Sequence, residues 1–105
     1  MKYNPKIVLA FYAGEELPKP EIEYRFDIDR GWRFDFAWPN QKVALEVQGG
    51  LFVNGAHVRG AAVVKEHEKL NWAAMHGWRV LYCQPSDVAS VRVARMIHYA
   101  LRPIT

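Results

Sequence analysis

Cysteine is nearly absent from this chain, which has one such residue, Cys83, among 105. A single cysteine excludes an intramolecular disulfide and a cysteine zinc cluster. No apolar run approaches the roughly 18 residues that a membrane-spanning helix needs, and the first residues do not resemble a signal peptide. Repeats, low-complexity tracts and the HExxH zinc-protease motif are also missing. The length predicts one domain over residues 1–105. The absences predict a reducing, cytoplasmic compartment and no membrane contact.

The chain is rich in apolar and aromatic residues and carries a small excess of positive charge. Half of its residues are hydrophobic and 13% are aromatic, which excludes a disordered chain. The net charge is +3, and residues 15–35 hold seven acidic against four basic side chains. Residues 36–105 hold eight basic against four acidic ones. A local acidic cluster beside a basic second half favours a protein that contacts phosphates and binds a metal ion at one place.

Periodicity and turn residues predict seven elements in the order αβββαβα, and therefore an α/β fold with a mixed four-stranded sheet flanked by helices. The strand–helix–strand step implies a parallel pairing by a right-handed crossover. The sequence of the middle helix suggests one stripe of Val63, His67, Leu70 and Ala74, and a C-terminal cap at Gly77. The predicted strands are 21–28, 32–38, 43–48 and 78–83, and the predicted helices are 5–12, 61–76 and a last one from an N-cap at Ser86 to about Leu101.

The second and third predicted strands form the most informative pattern. Both alternate polar or small residues with bulky apolar ones, which is typical of strands with one buried face. Residues 39–42 supply a tight turn between them. A hairpin centred on residues 40 and 41 then has two faces. The apolar face pairs Trp38 with Val43, Phe36 with Leu45 and Phe34 with Val47. The other face pairs Ala37 with Ala44, Asp35 with Glu46 and Arg33 with Gln48.

This register predicts that Asp35 and Glu46 face each other. Directly opposed residues have Cβ atoms roughly 4.5–5.5 Å apart, where like charges destabilise the hairpin. A sequence that accepts this cost beside small alanines favours a divalent-cation site, because hard cations such as Mg²⁺ take carboxylate oxygens and water. The alternative is a pair of strand residues on a solvated face, each bonded to a neighbouring arginine.

The order of elements, the hairpin with Asp on one strand and Glu on the next, and the crossover helix resemble the PD-(D/E)XK nuclease superfamily. A longer series of matches is similar to small phage and prophage endonucleases related to the very-short-patch-repair and archaeal Holliday-junction-resolving enzymes. The resemblance spans roughly residues 20–83 and implies a restriction-endonuclease-like domain. The matching segments are residues 23–26, 32–39, 46–50, 57–60, 68–71 and 77–81.

The resemblance implies that Asp35 and Glu46 bind Mg²⁺ or Mn²⁺, with the carbonyl of Val47 as a third protein ligand. Such an ion would polarise the scissile phosphate and lower the pKa of a bound water. Glu23 is implied as a further metal-binding carboxylate. The alternative for Glu23 is a salt bridge with Arg25 or Arg33.

The family motif ends in lysine, whereas this chain has Gln48 at that place. An amide can position a water by hydrogen bonding but cannot supply charge. Some members of the superfamily have glutamine there, and others place the lysine on the following helix. Lys69, or failing that Lys65, is predicted to take this role. The implied catalytic residues are therefore Asp35, Glu46, Gln48 and Lys69.

Basic side chains near the metal strands are the candidates for DNA contact. Arg33 lies beside the acidic pair, and it either meets the phosphate or neutralises a carboxylate. His57 and Arg59 lie in the glycine-rich loop after the third strand, where binding groups concentrate. Arginine suits bidentate phosphate contacts. These three residues form the predicted DNA-binding set.

The sequence thus predicts a Mg²⁺- or Mn²⁺-dependent DNA endonuclease. A small domain has little surface with which to read sequence, so we expect structure-directed cutting of branched or junction DNA, or nonspecific cutting. Branched substrates need two active sites, which predicts a homodimer. Two other functions also fit the residues. One is a nucleic-acid-binding module in which Gln48 marks lost chemistry, and the other is an α/β interaction domain whose acidic residues are structural.

Overall fold

The computed structural model of the chain describes residues 3–48 and 60–103. Three helices and four strands follow one another in the predicted order, αβββαβα. None of the described helices is both long and apolar enough to cross a bilayer. The elements are α1 (Pro5–Gly14), β1 (Glu21–Asp27), β2 (Trp32–Trp38), β3 (Val43–Val47), α2 (Ala61–Met75), β4 (Arg79–Cys83) and α3 (Val91–Ala100).

The four strands form one sheet in the order β1-β2-β3-β4. β1 and β3 both run antiparallel to β2, and β4 runs parallel to β3 after the intervening helix α2. The predicted α/β fold with a mixed sheet is therefore confirmed. The hairpin register is also confirmed where the β2–β3 ladder forms, at Trp38 with Val43, Ala37 with Ala44 and Phe36 with Leu45.

The end of α2 agrees with the prediction, whereas the start of α3 does not. Gly77 has a φ of +83°, and it follows α2 as the predicted left-handed glycine. α3 begins later than predicted, because Ser90 is its N-cap and not Ser86. The hydroxyl of Ser90 accepts the N–H of Val93 at 3.2 Å. Residues 84–87 form a separate turn before the helix, in which the carboxylate of Asp87 accepts a backbone N–H at 2.9 Å.

Two apolar clusters lie on opposite sides of the sheet, so that α1 and α3 cover one face and α2 covers the other. The first cluster includes Val8 and Tyr12 of α1, Phe36, Trp38, Val43 and Leu45 of the sheet, and Val93, Ala94 and Ile97 of α3. The second includes Phe34, Ala37 and Ala44 of the sheet and Ala73 of α2, with Tyr24, Phe26, Trp78 and Val80 packed against them.

Phe34 lies on the other side of the sheet from Phe36, and the predicted face is therefore wrong. Phe34 packs in the cluster under α2, whereas Val47, its predicted partner, packs in the first cluster. The neighbouring strand has an irregular backbone at this level of the sheet. Glu23, which lies opposite Asp35 between two paired positions of β1 and β2, has a φ of +53°. Period-two alternation holds only for a regular strand. Residues other than glycine rarely adopt a positive φ.

Tyr12 joins α1 to the segment before α3 through a buried hydrogen bond. Its hydroxyl donates to the carbonyl of Val88 at 2.7 Å, and the residue is 1% exposed. Tyr12→Phe leaves that carbonyl without its donor, so we expect the free energy of unfolding to fall by about 1–3 kcal/mol in a urea titration. Tyr99→Phe is the matched control, because Tyr99 is 72% exposed. Equal stability losses in both variants would contradict this role of Tyr12.

Candidate active site

Asp35 and Glu46 lie where β2 and β3 stop pairing through their backbones. The ladder ends at Phe36 and Leu45, one residue before the acidic pair. Beyond that point the strands exchange side-chain bonds. Glu46 Oε2 accepts the N–H of Asp35 at 3.0 Å, and Asp35 Oδ2 accepts the N–H of Val47 at 2.7 Å. These bonds hold the two carboxylates at the same level of the hairpin and offset part of their repulsion.

The helix α2 lies over β3, and alternate residues of the strand meet successive turns of the helix. Positions two apart on a strand and three or four apart on a helix have similar spacings, about 5–7 Å. At one end of this contact the residues are fully buried alanines, whose small side chains let the helix approach the sheet closely. The successive neighbours are Ala44 with Ala73, Glu46 with Lys69 and Gln48 with Glu66.

The predicted stripe of α2 is buried only in part, since two of its four residues are half-buried. His67 and Ala74 are exposed, and Ala73 is buried instead. Here the sheet offers Glu46 and Gln48, and burying them under an apolar helix face without partners would cost free energy. Polar residues of α2 therefore lie on the inner face.

Lys69 reaches Glu46 from α2. Its Nζ lies 2.5 Å from Glu46 Oε1, and the two side chains are only 16% and 6% exposed. Burial raises the pKa of Glu46 to about 7, the charge of Asp35 acts in the same direction, and Lys69 acts against both. Lys69 thus occupies the position predicted for the lysine on the helix, whereas Lys65 is exposed.

Gln48 is held by a residue that sequence reasoning missed. Its Nε2 donates to Glu66 Oε2 at 3.2 Å. Gln48 Oε1 is buried and has no hydrogen-bond partner in the described part of the chain. The spacing of Glu66, Lys69 and Ala73 along α2 is the signal that could have found Glu66, once the helix is laid over β3.

Glu23 and Arg33 pair with each other. Glu23 Oε1 lies 3.3 Å from Arg33 Nη1, and both side chains are about half exposed. Arg33 pairs with Arg25 across β1 and β2, and the β2–β3 ladder does not extend to the predicted Arg33–Gln48 pair. Glu23 therefore forms one of the salt bridges given as the alternative to metal binding. Its role as a metal ligand stays a prediction.

Two tyrosines border the acidic pair and were also missed. Tyr82 lies opposite Glu46 in the β3–β4 ladder. Burial raises the pKa of Tyr82 to about 12, and the charges of Glu66 and Glu46 contribute. The ring of Tyr3 packs 6.0 Å from that of Phe36. The pKa of Tyr3 is raised by burial first and then by nearby carboxylates.

Comparison with known proteins adds no identification. No protein-family model, curated protein or solved structure matches the chain. The function is therefore argued from the geometry of Asp35, Glu46, Gln48 and Lys69. His57 and Arg59, the predicted DNA contacts of the third strand's loop, lie outside the described residues, and their roles stay predictions.

The donor chemistry at Asp35 and Glu46 fits a divalent cation. Mg²⁺ is usually bound by one or two carboxylates, with water and substrate phosphates as the other ligands. Asp35 uses Oδ2 for the N–H of Val47, which leaves Oδ1 available, and its side chain is only partly buried. Residues 3–48 and 60–103 contain no group of three or more His, Cys, Asp or Glu side chains suited to a metal. Asp35 and Glu46 are therefore the two carboxylates of the described residues that could hold such an ion.

Proposed function

We propose that this chain is a divalent-metal-dependent DNA endonuclease of the PD-(D/E)XK type. The observation that carries the proposal is the contact of Lys69 Nζ with Glu46 Oε1 at 2.5 Å, beside Asp35. A buried ion pair is weak evidence for stability. A carboxyl group whose pKa is raised by burial, beside a second carboxylate and a lysine, is typical of functional sites.

The residues divide the work of phosphodiester hydrolysis. Asp35, Glu46 and the carbonyl of Val47 would hold Mg²⁺ or Mn²⁺. The ion would act as a Lewis acid toward the phosphate and would lower the pKa of a bound water. Lys69 places positive charge where negative charge develops on the phosphate oxygens. The water oxygen forms a bond to phosphorus as the bond to the leaving deoxyribose oxygen breaks. One water proton stays on the new phosphate group, and the other reaches the leaving oxygen through solvent.

The proposed substrate is branched or junction DNA, or DNA of any sequence, cut in the cytoplasm by a homodimer. Arg33, His57 and Arg59 are the proposed phosphate contacts. Arg33 can exchange its partner for a phosphate at little cost, because a half-exposed ion pair such as Arg33–Glu23 contributes little free energy. Each phosphate contact should appear in the slope of log affinity against log salt concentration.

A nucleic-acid-binding module without catalysis is the second candidate. Lys69 is bonded to Glu46, and Gln48 is bonded to Glu66, so that both side chains have partners within the protein itself. Such pairs would persist if the chemistry had been lost.

A panel of single-stranded, duplex and four-way-junction DNA, with Mg²⁺, Mn²⁺ or EDTA, tests the proposal. We expect cutting with either metal, none in EDTA, and the fastest cutting on the junction. Wild-type protein and Asp35→Asn, purified in the same way, exclude a contaminating nuclease. Salt-sensitive binding without cutting would favour the binding module. No salt-sensitive binding at all would favour an interaction domain.

A further inference from the structure

The side-chain amide of Gln48 has a defined orientation. An ionised carboxylate only accepts hydrogen bonds, so the amide nitrogen must face Glu66 and the amide oxygen must point away from it. Nearly all buried polar atoms in proteins have a hydrogen-bond partner. Gln48 Oε1 is buried, and in residues 3–48 and 60–103 it has none. Within this part of the chain, the oxygen is an acceptor without a donor.

The orphan oxygen belongs to the same side of the sheet as Glu46. The N–H of Gln48 donates to the carbonyl of Cys83 at 2.9 Å, so the β3–β4 pairing continues through this residue. Alternate residues of a paired strand share a face, and both Glu46 and Gln48 bond to side chains of α2. Among residues 3–48 and 60–103 nothing donates to Oε1, and a group bound next to the carboxylate site could supply that hydrogen bond.

We propose that Glu66 is a positioning residue, which holds Gln48 Nε2 so that Oε1 accepts a hydrogen bond from the water that attacks the phosphate. This inference rests on the proposed nuclease function. Glu66 itself touches neither substrate nor metal. Gln48 orients the water and, as a neutral amide, takes no proton from it. Charge comes from Lys69 and orientation comes from Gln48, so that two residues share the task of the motif lysine.

Glu66→Ala removes the acceptor that holds the amide of Gln48. We expect kcat to fall by about ten-fold or more, because a misplaced catalytic group slows the reaction steeply. KM for DNA should be nearly unchanged, because Glu66 does not touch the substrate. Glu68→Ala is the matched control, since Glu68 is an exposed residue of the same helix. Its kcat should equal that of the wild type.

A charge swap separates positioning from a structural role. Gln48→Glu sets two carboxylates against each other, and both kcat and stability should fall. The double variant Gln48→Glu/Glu66→Gln reverses the pair. The amide at position 66 then donates to one oxygen of the carboxylate at position 48, and the other oxygen again accepts from water. We expect kcat to recover in the double variant. Recovery of stability without recovery of kcat would overturn the inference.

Hydrogen exchange of the Gln48 side-chain NH₂ group, followed by NMR in metal-free protein, gives a readout that does not depend on activity. Exchange should be slow in the wild type and Glu68→Ala, and fast in Glu66→Ala. Equal exchange in the wild type and Glu66→Ala would overturn the inference. Cutting with an unchanged kcat in Glu66→Ala would overturn it and leave the nuclease function standing. A wild type that cuts no DNA would overturn the proposed function, and this inference with it.

Discussion

Asp35→Asn is expected to lower metal-dependent DNA cleavage by about 10³-fold or more, because the site loses one of its two charged metal ligands. Asparagine keeps an oxygen that can accept the N–H of Val47, so the local bond to β3 survives. The rate of plasmid nicking and the thermal unfolding curve are the two measurements. Asp29→Asn is the control, because Asp29 is an exposed residue of the turn after β1. Nicking by Asp35→Asn at the wild-type rate would remove Asp35 from the site.

Glu46→Gln should abolish cleavage for the same reason, but it should also destabilise the fold. Its amide leaves Lys69, only 16% exposed, without an anionic partner. Removing one member of a buried pair is costly, and we expect a loss of up to about 3 kcal/mol. Asp35→Asn is therefore the sharper test of catalysis, and Glu46→Gln adds a test of the buried ion pair.

Lys69→Met is expected to lower kcat by about 10²-fold, the usual scale for a positioned catalytic group. Methionine keeps most of the side-chain length and removes the charge. Lys69 holds down the pKa of Glu46, so its loss raises that pKa and protonates the carboxylate at neutral pH. The rates should therefore be compared at alkaline pH and saturating Mg²⁺, where protonation no longer limits metal binding.

Lys65→Met is the matched control for this experiment, because Lys65 lies one turn earlier on α2 and is exposed. Its kcat should be that of the wild type. Adding Gln48→Lys to Lys69→Met should partly restore kcat, since it returns the charge to the motif position. A nearly silent Lys69→Met, with the loss carried by Gln48→Ala, would mean that Gln48 alone orients the water.

The order of elements and the hairpin register could be predicted because alternation and turn residues carry them directly. The faces of Phe34 and of α2 could not. Phe34 departs from regular alternation at the level where Glu23 of the neighbouring strand has a left-handed backbone, and side-chain alternation does not encode such a departure. The start of α3 depends on which of two serines caps it; the first lies in the separate turn of residues 84–87, and the second is the N-cap.

Part of the candidate site could also be predicted from the sequence, and part could not. The neighbourhood of Asp35 and Glu46 follows from the register, and the reach of Lys69 follows from the need of a crossover helix to pack on its sheet. Glu66 was missed because its place depends on how α2 is rotated over β3. In the structure, that rotation brings Ala73 to the cluster of Ala44 and Glu66 to Gln48.

Binding of Mn²⁺ to the metal-free protein, followed by the electron paramagnetic resonance signal of the free ion, tests the proposed metal site most directly. The wild type and Asp29→Asn should each bind Mn²⁺ at a site that Mg²⁺ competes for. Asp35→Asn and Glu46→Gln should bind it at least about ten-fold more weakly, because each has lost a charged ligand. Equal Mn²⁺ binding by all four proteins, or binding by none of them, would contradict a metal centre at Asp35 and Glu46.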